Sequence, residues 1–294
     1  AHIKKTGIHK ETIYTCYVIQ QRKLLGIVSA KDLMTTDDNV LIEDIMETEI
    51  ISVSTLTDKE DVAHQLRKYD LLALPVLDTD GLLVGIVTFD DAMDVMVEEA
   101  TEDMERMAAM APSERPYLRT RVWDLYRSRI FWLLLLMLSA TFTGAIITHF
   151  ENALAAQVVL TAFIPMLMDT GGNCGSQSST LIIRGIALNQ VTFHDFFRVI
   201  WKEFRVSLIV GVVLAVANGL RIYLTYQQAG MAVVIALSLV ATVISAKLLG
   251  CILPMCAKKI GLDPALMASP LITTIVDASS IMIYFFIATK VFHL

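Results

Sequence analysis

The second half of the chain alternates long apolar runs with short polar connections. The runs lie at 130–148, 153–183, 206–226, 231–253 and 265–292. An apolar run of about 20 residues is long enough to cross a membrane as a helix. The pattern therefore predicts five membrane-spanning helices, the second of them broken at Pro165 and across the polar residues 169–180.

The first third has shorter hydrophobic periods and an internal repeat. The segment 24–34, LLGIVSAKDLM, recurs at 83–93 as LVGIVTFDDAM. Each copy predicts a strand, a turn and a helix, with Leu82–Val87 as a strand and Thr88 as a helix N-cap. The second copy is complete over about 44–96. The first lacks its opening strand and helix, so we expect the sequence to be a fragment of a longer protein.

Charge separates the two halves of the chain. Residues 1–114 hold 23 Asp/Glu and 10 Lys/Arg, net −13, and residues 115–294 hold 7 and 14, net +7; the two sum to −6. Lys and Arg concentrate before the first apolar run, between the second and third, and between the fourth and fifth. Cytoplasmic loops of membrane proteins carry such a surplus. The distribution predicts a cytoplasmic N-terminal domain and an external C-terminus.

The apolar stretch Pro264–Thr289 contains one charged residue, Asp277, near its centre. An ionised carboxylate at membrane depth costs roughly 2.5–3.5 kcal/mol on insertion scales, so it normally faces a bundle interior, a water-filled path or a cation. This favours a role in moving an ion across the membrane. The alternative is a protonated Asp277 within a contact between helices.

The polar residues of the second run form a glycine-rich segment, PMLMDTGGNCGSQSST, at 165–180. Glycines permit unusual backbone dihedrals at a site where the chain lines a cavity. Neutral side-chain oxygens are supplied by Asn173, Ser176, Gln177 and Thr180. Magnesium holds its first-shell waters tightly, and those waters need acceptors. The segment therefore favours a pore lining, whereas small residues alone are also typical of a packing interface.

Residues 90–105 contain eight carboxylates and no base. Apolar residues at helical spacing run through the same segment, which predicts an acidic helix that connects the soluble half to the membrane half. Carboxylates three or four residues apart lie on one face and repel each other. A divalent cation would remove that repulsion and change the packing. A solvated acidic face is the alternative.

The duplicated G-h-[ST]-x-x-D pattern resembles the tandem cystathionine-β-synthase (CBS) module. Such modules often bind adenine nucleotides with the signature Asp on the ribose. In the first copy the resemblance implies Asp32 at the ribose, Lys31 at the phosphates and Tyr14 against the base. In the second copy, Asp90 beside Asp91 would repel phosphate. The alternative is an empty site in which these residues only end a strand and cap a helix.

Two membrane motifs, TGGNxGxQSxTL in the second run and LDPAL…TTIVDxxxxxIY in the fifth, together with the CBS repeats and the acidic helix, closely resemble the MgtE family of magnesium channels and transporters. The resemblance covers essentially the whole chain. It implies a homodimer with a pore on the two-fold axis, Asp277 holding hydrated Mg²⁺, and connecting helices that close the pore when cytoplasmic Mg²⁺ binds. The metal-ligating residues expected are Asp91, Asp94, Glu99, Glu102, Asp103, Asn173, Ser176, Thr180, Asp263 and Asp277.

The chain departs from the family pattern in three places. Ser176 stands where some relatives have Asn, Asp169 stands where Gly is common, and the family's N-terminal helical domain is absent from this sequence. Because that domain shares the sensor sites, we expect gating by Mg²⁺ to be weaker or abolished here.

The fold expected is an α+β cytoplasmic CBS module joined by an acidic helix to an all-α, five-span membrane domain. Its parts are a partial first repeat at 1–43, a second repeat at 44–96, the connecting helix at 90–115 and the pore domain at 116–294. The expected function is Mg²⁺ transport across a bacterial plasma membrane, with ATP as a modulator and no nucleic-acid partner. No nucleophile–base constellation is present, so we expect no enzyme. The alternatives are a proton- or sodium-coupled carrier and a nucleotide-sensing receptor.

Overall fold

The chain divides into two compact units, which are described separately. The computed structural model describes residues 12–37, 39–113, 115–267 and 269–293. Unit one is Ala1–Thr101 and unit two is Glu102–Leu294.

The first repeat of unit one is built on a β-hairpin. Strands β1 (Thr15–Gln20) and β2 (Lys23–Ser29) pair antiparallel. Gln21 and Arg22 both adopt positive φ, 49° and 68°, as a two-residue turn requires for its twist to match that of the strands. Two short helices, α1 (Ala30–Thr35) and α2 (Ile42–Ile45), follow.

The second repeat contains a three-stranded sheet with two helices packed against it. Its elements are β3 (Val53–Ser54), α3 (Lys59–Lys68), β4 (Ala73–Leu77), β5 (Leu83–Thr88) and α4 (Phe89–Met107). Strand β4 is central, parallel to β3 and antiparallel to β5. Leu66, Leu74 and Ala92 are buried between sheet and helices.

Helix α4 is shorter than the connecting helix expected over 90–115. It ends at Met107, and Ala109 adopts a left-handed φ of 54°. A left-handed residue just after the last turn is a common way to end a helix. The segment from Met110 to Ser113 is not helical.

Unit two is helical. Its helices are α5 (Val122–His149), α6 (Glu151–Ala156), α7 (Ile164–Ala187), α8 (Phe196–Tyr226), α9 (Ala229–Lys259) and α10 (Ser269–Phe292). Among the described residues, four segments are long and apolar enough to cross a membrane: Val122–His149, Phe193–Tyr226, Ala229–Lys259 and Pro264–Phe292. Helix α7 is about 36 Å long at 1.5 Å per residue, but its polar run keeps it outside that set.

The expected break within the second span is wrong in its position and its cause. Pro165 lies in the first turn of α7, where its missing N–H costs no hydrogen bond. The glycine-rich run after it is continuous helix, and Gly171, Gly172 and Gly175 keep negative φ. The irregular backbone lies earlier, where α6 ends at Ala156 and a 3₁₀ turn at Val158–Phe163 leads into α7.

Helix α9 forms the centre of unit two. Val234, Ile235 and Val243 are fully buried, and apolar residues surround the helix on all sides, as is typical of a helix enclosed by others. Helices α7, α8 and α10 pack against it. The Tyr284 hydroxyl donates a hydrogen bond of 2.9 Å to the Leu160 carbonyl, which ties α10 to the turn before α7.

Candidate ion site

Helix α7 presents five polar side chains on one face. Asp169, Asn173, Gln177 and Thr180 are exposed and Ser176 is half-buried. Asp169, Asn173, Ser176 and Thr180 follow one another at three or four residues, and Gln177 adjoins Ser176. All five therefore lie on one face of the helix. We call these five residues the polar stripe. It brings together Asn173, Ser176 and Thr180, the pore-lining residues expected from the sequence.

The opposite face of α7 packs closely against α9 and α10. A Cβ atom added to Gly171 would lie 2.8 Å from Ser280 Oγ and 2.9 Å from Val276 Cγ1, and one added to Gly175 would lie 2.9 Å from Ile272 Cγ2. These glycines therefore let helices approach, which is the packing role of small residues in membranes. The expected unusual dihedrals are absent, so packing accounts for the glycines and the pore-lining interpretation rests on the polar stripe.

Asp277 lies on α10, half-buried beside the face that packs on α7. Thr273, one turn earlier, is the residue that a Cβ on Gly172 would meet, at 3.1 Å. Asp169 is close enough for its charge to act on Asp277. The structure thus places the carboxylate of α10 beside the polar stripe. It also gives Asp169, whose role the sequence left open, a position next to that carboxylate.

A buried charge cluster lies behind the stripe. Lys247 of α9 is 5% exposed, and its Nζ atom is 3.2 Å from Ser178 Oγ and 3.7 Å from Glu203 Oε2. Ser178 Oγ in turn donates to Glu203 Oε2 at 2.9 Å. Lys247 is the one charged residue within the apolar run 231–253, so the sequence marks it as unusual, but the sequence does not reveal Glu203 as its partner. The available signal was that Glu203 is the sole acidic residue of α8.

The acidic residues of α4 have cationic partners from outside the 90–105 segment. Lys59 Nζ of α3 lies 3.0 Å from Glu99 Oε1 and 3.7 Å from Glu98 Oε2. Thr88 Oγ1 donates to Asp91 Oδ2 at 3.0 Å. The nearby Thr88 hydroxyl and the backbone amides of Asp90 and Asp91 lower the pKa of Asp90.

Arg106, in the last turn of α4, joins two of the expected metal ligands. Its guanidinium contacts Glu102 and Asp263, and the Asp263 carboxylate also accepts from the Ala265 amide at 2.8 Å. Desolvation alone would lower the pKa of Arg106. The hydrogen bond with Asp263 and the charges of Asp263, Glu102 and Asp103 outweigh it and raise that pKa.

The carboxylates expected to bind regulatory Mg²⁺ are not gathered into a ligand cluster. Over residues 12–37, 39–113, 115–267 and 269–293, no three His, Cys, Asp or Glu side chains lie close enough together to hold a metal ion. Their oxygens suit Mg²⁺ chemically. A bound cation would have to compete with Lys59 for Glu99 and with Arg106 for Glu102.

The residues expected to bind a nucleotide lie around the start of α1. The Ala30 amide donates to the Tyr14 carbonyl at 2.9 Å, and Ser29 caps α1 while donating to Asp32 at 2.6 Å. Tyr14 and Lys31 are exposed.

The second repeat contains a cavity of about 290 Å³ whose lining includes Thr55, Thr57, Lys59 and Asp91. Lys59 adds a cation beside Asp91 that the sequence comparison of the two copies did not reveal.

Comparison with known proteins identifies both parts of the chain. The family profile "MgtE: Divalent cation transporter" matches residues 164–287, and a CBS domain profile matches 42–98. The chain is 37% identical to the magnesium transporter MgtE of Thermus thermophilus over 97% of its own length and 64% of that protein. It is 38% identical to the magnesium transporter MgtE of Bacillus subtilis over 96% and 62%. The chain therefore spans less than two thirds of the curated relatives that it matches.

A solved structure, "Crystal structure of the cytosolic domain of the Mg2+ channel MgtE in complex with ATP", is 40% identical over 32% of this chain and 38% of that chain, with a TM-score of 0.31. The relatives that match nearly the whole chain are named as magnesium transporters and not as enzymes, in agreement with the expectation from sequence. The chain therefore carries a membrane domain that matches the MgtE family and a CBS domain, and it is similar to MgtE magnesium transporters over nearly its whole length.

Proposed function

We propose that this protein transports Mg²⁺ across a bacterial plasma membrane through a pore lined by the polar stripe of α7. The observation that supports the proposal most directly is the exposed row of polar side chains on a membrane helix whose other face is closely packed, with Asp277 beside it. A polar row exposed to lipid would be unfavourable, so it is expected to face water.

The chemistry of the stripe suits a hydrated divalent cation. Amide and hydroxyl oxygens accept hydrogen bonds from the ion's own water shell, which Mg²⁺ releases reluctantly. The carboxylate of Asp277 supplies the charge that favours a cation over an anion and a divalent cation over a monovalent one. Asp169 adds a second negative charge near the same position.

A homodimer is proposed because one chain leaves the stripe open. Two copies related by a two-fold axis would bring two stripes face to face, and each copy would cover the polar row of the other. The proposed topology has five spans, with α7 added to the four apolar segments. The Lys and Arg residues between spans favour an orientation with the N-terminal domain in the cytoplasm and the C-terminus outside.

Regulation is proposed at two places, the carboxylates of α4 with Asp263 and the first repeat. Mg²⁺ binding to Asp91, Asp94, Glu99, Glu102, Asp103 and Asp263 would favour the closed pore, in competition with Lys59 and Arg106. ATP is proposed to bind at the first repeat through Tyr14, Lys31 and Asp32. Loss of ATP binding, measured by calorimetry, in Asp32→Ala but not in Asp91→Ala would support that site over the second-repeat cavity.

Growth of a bacterial strain that requires added magnesium tests the proposal. We expect the chain to restore growth at low magnesium, and we expect the Asp277→Ala variant, present in the membrane at the same level, to fail. Lys258→Ala, which changes an exposed residue at the end of α9, is the matched control and should restore growth. A receptor without transport activity would not restore growth, so failure of the unaltered chain at full expression would contradict the proposal.

A further inference from the structure

The buried cluster of Ser178, Lys247 and Glu203 joins three helices at one point. Ser178 belongs to α7, Glu203 to α8 and Lys247 to α9. The relative exposure of Ser178 is 1%, and the side chains of Lys247 and Glu203 are 7% and 15% exposed. Buried charges in a membrane domain are costly and normally paired.

The hydrogen bonds of the cluster run in one direction. Lys247 Nζ donates to Ser178 Oγ, and Ser178 Oγ donates to Glu203 Oε2. The Ser178 hydroxyl thereby uses its donor on α8 and an acceptor on α9. Its side chain is consequently fixed from both neighbouring helices.

Ser178 lies on the back of α7 relative to the polar stripe. At 3.6 residues per turn it is about 150° around the helix from the middle of the stripe. A close contact between α7 and α9 lies one turn away, because a Cβ added to Gly250 would overlap the Gly175 carbonyl oxygen. A rotation of α7 that turned the stripe aside would have to break both the hydrogen bonds and this contact.

We propose that Ser178, Lys247 and Glu203 are positioning residues that set the rotation of α7 and so determine which of its side chains face the pore. The proposal rests on the proposed function for the stripe as a pore lining. None of the three residues belongs to the stripe itself. Their hydrogen bonds fix one orientation of a helix whose contact with α9 and α10 is otherwise made by glycines and apolar side chains.

Thiol labelling tests this rotation without requiring transport. Two reporters are introduced separately, Thr180→Cys on the stripe and Ser179→Cys at a fully buried position, with Cys16 and Cys256, the two natural thiols that are not buried, changed to Ala. A membrane-impermeant maleimide should label position 180 and not position 179 in the otherwise unaltered chain. The ratio of the two labelling rates is the measurement.

Lys247→Met should bring that ratio toward one, and Lys247→Arg, which keeps the donor and the charge, should preserve it. The deciding variant is the apolar pair Lys247→Met/Glu203→Leu, because replacement of a buried ion pair by apolar residues usually leaves a protein folded. Loss of the ratio in this pair supports positioning. An unchanged ratio would mean that the cluster merely balances its own charge, and the proposal would be wrong.

Lys258→Met serves as the control, since Lys258 is an exposed lysine of the same helix, and it should leave the ratio unchanged. Transport measurements separate the two proposals. If the chain moves no Mg²⁺ but the ratio falls in the apolar pair, the proposed function is wrong and the positioning role stands. If Mg²⁺ is transported and the ratio is unchanged in the apolar pair, only the positioning role is wrong.

Discussion

At the scale of single residues, the contact between Gly250 and Gly175 controls how closely α7 and α9 approach. A Cβ on Gly250 would be 2.4 Å from a backbone oxygen that cannot move aside by a side-chain rotation. Gly250→Ala should therefore destabilise the folded protein by about 1–3 kcal/mol, the usual cost of overpacking. The measurement is the midpoint of thermal unfolding in detergent.

The matched control is Gly144→Ala on α5, where an added Cβ meets no atom within 4 Å. Alanine has the higher helix propensity, so this change should be neutral or should stabilise by up to about 1 kcal/mol. Equal midpoints for the two variants would contradict the close contact at Gly250.

Asp277 is the residue at which charge and hydrogen bonding can be separated. Asp277→Asn keeps oxygen and nitrogen atoms that bind water but removes the negative charge. We expect slower Mg²⁺ flux and a smaller ratio of Mg²⁺ to K⁺ flux, because the charge favours divalent over monovalent cations. Flux of both ions into the same liposomes is the measurement. A selectivity ratio equal to that of the unaltered chain would exclude Asp277 as the selective charge.

The residue pattern of the sequence identified Asp277 and Lys247 because each is a charge within an apolar run. It did not identify Glu203 as the partner of Lys247. That pairing depends on the rotation of α8 and α9 about their axes, and both helices are so evenly apolar that the sequence pattern does not define which face turns inward. Ser178 was within the motif, but its position opposite the stripe becomes visible only once α7 is continuous.

At the scale of elements, the side chain of Arg106 stabilises the last turn of α4. Arg106 contacts Glu102 and Asp263, two carboxylates expected to bind Mg²⁺. Arg106→Gln leaves these carboxylates to repel each other unless a divalent ion bridges them. Proteolysis between residues 108 and 113 should then become strongly sensitive to Mg²⁺, with more cleavage in its absence than for the unaltered chain.

Lys68→Gln, at an exposed residue of α3, is the control for that experiment. Cleavage of the Arg106 variant at the same rate as the control, with and without Mg²⁺, would show that the guanidinium does not hold this turn.

The acidic face of α4 gives a second prediction at this scale. Combined neutralisation of Asp91, Asp94, Glu99, Glu102 and Asp103 should abolish protection of residues 108–113 by millimolar Mg²⁺ while conduction persists. In the unaltered chain Mg²⁺ should protect and K⁺ at matched ionic strength should not, because bridging differs from screening. Equal protection by both salts would reduce this face to an ordinary solvated surface.

Most elements of secondary structure could be predicted from the sequence. The prediction was wrong where packing between helices determines the backbone conformation. The predicted strand Leu82–Val87 lies at Leu83–Thr88, since alternation and the following helix start define it locally. The glycine-rich run was expected to break its helix. In a bundle of membrane helices the same glycines are retained in the helix, because the close contacts with Ser280, Val276 and Ile272 favour a smooth surface.

At the scale of the molecule, the soluble and membrane units carry opposite charge and different chemistry. The acidic excess of residues 1–114 lies largely on elements that present carboxylates to solvent or to Lys59 and Arg106. In the membrane unit the polar stripe lies on one face of α7, and Ser178, Lys247 and Glu203 form a buried cluster behind it. The opposite charges follow from the sequence composition, whereas the buried cluster depends on how the helices pack. The pairing of two copies across the stripe depends on surfaces that one chain does not define.

The most direct test of the account is Mg²⁺ entry into liposomes that contain the purified full chain and an entrapped magnesium-sensitive dye. With an imposed Mg²⁺ gradient and no proton or sodium gradient, the account predicts influx well above that of empty liposomes. The Asp277→Ala protein should show no Mg²⁺ influx above that of empty liposomes, and Lys258→Met should show the influx of the unaltered chain. All three proteins are reconstituted at equal density and must be equally resistant to thermal unfolding. Influx that requires a proton or sodium gradient, or influx undiminished in Asp277→Ala, would contradict a magnesium pore built on the α7 stripe and Asp277.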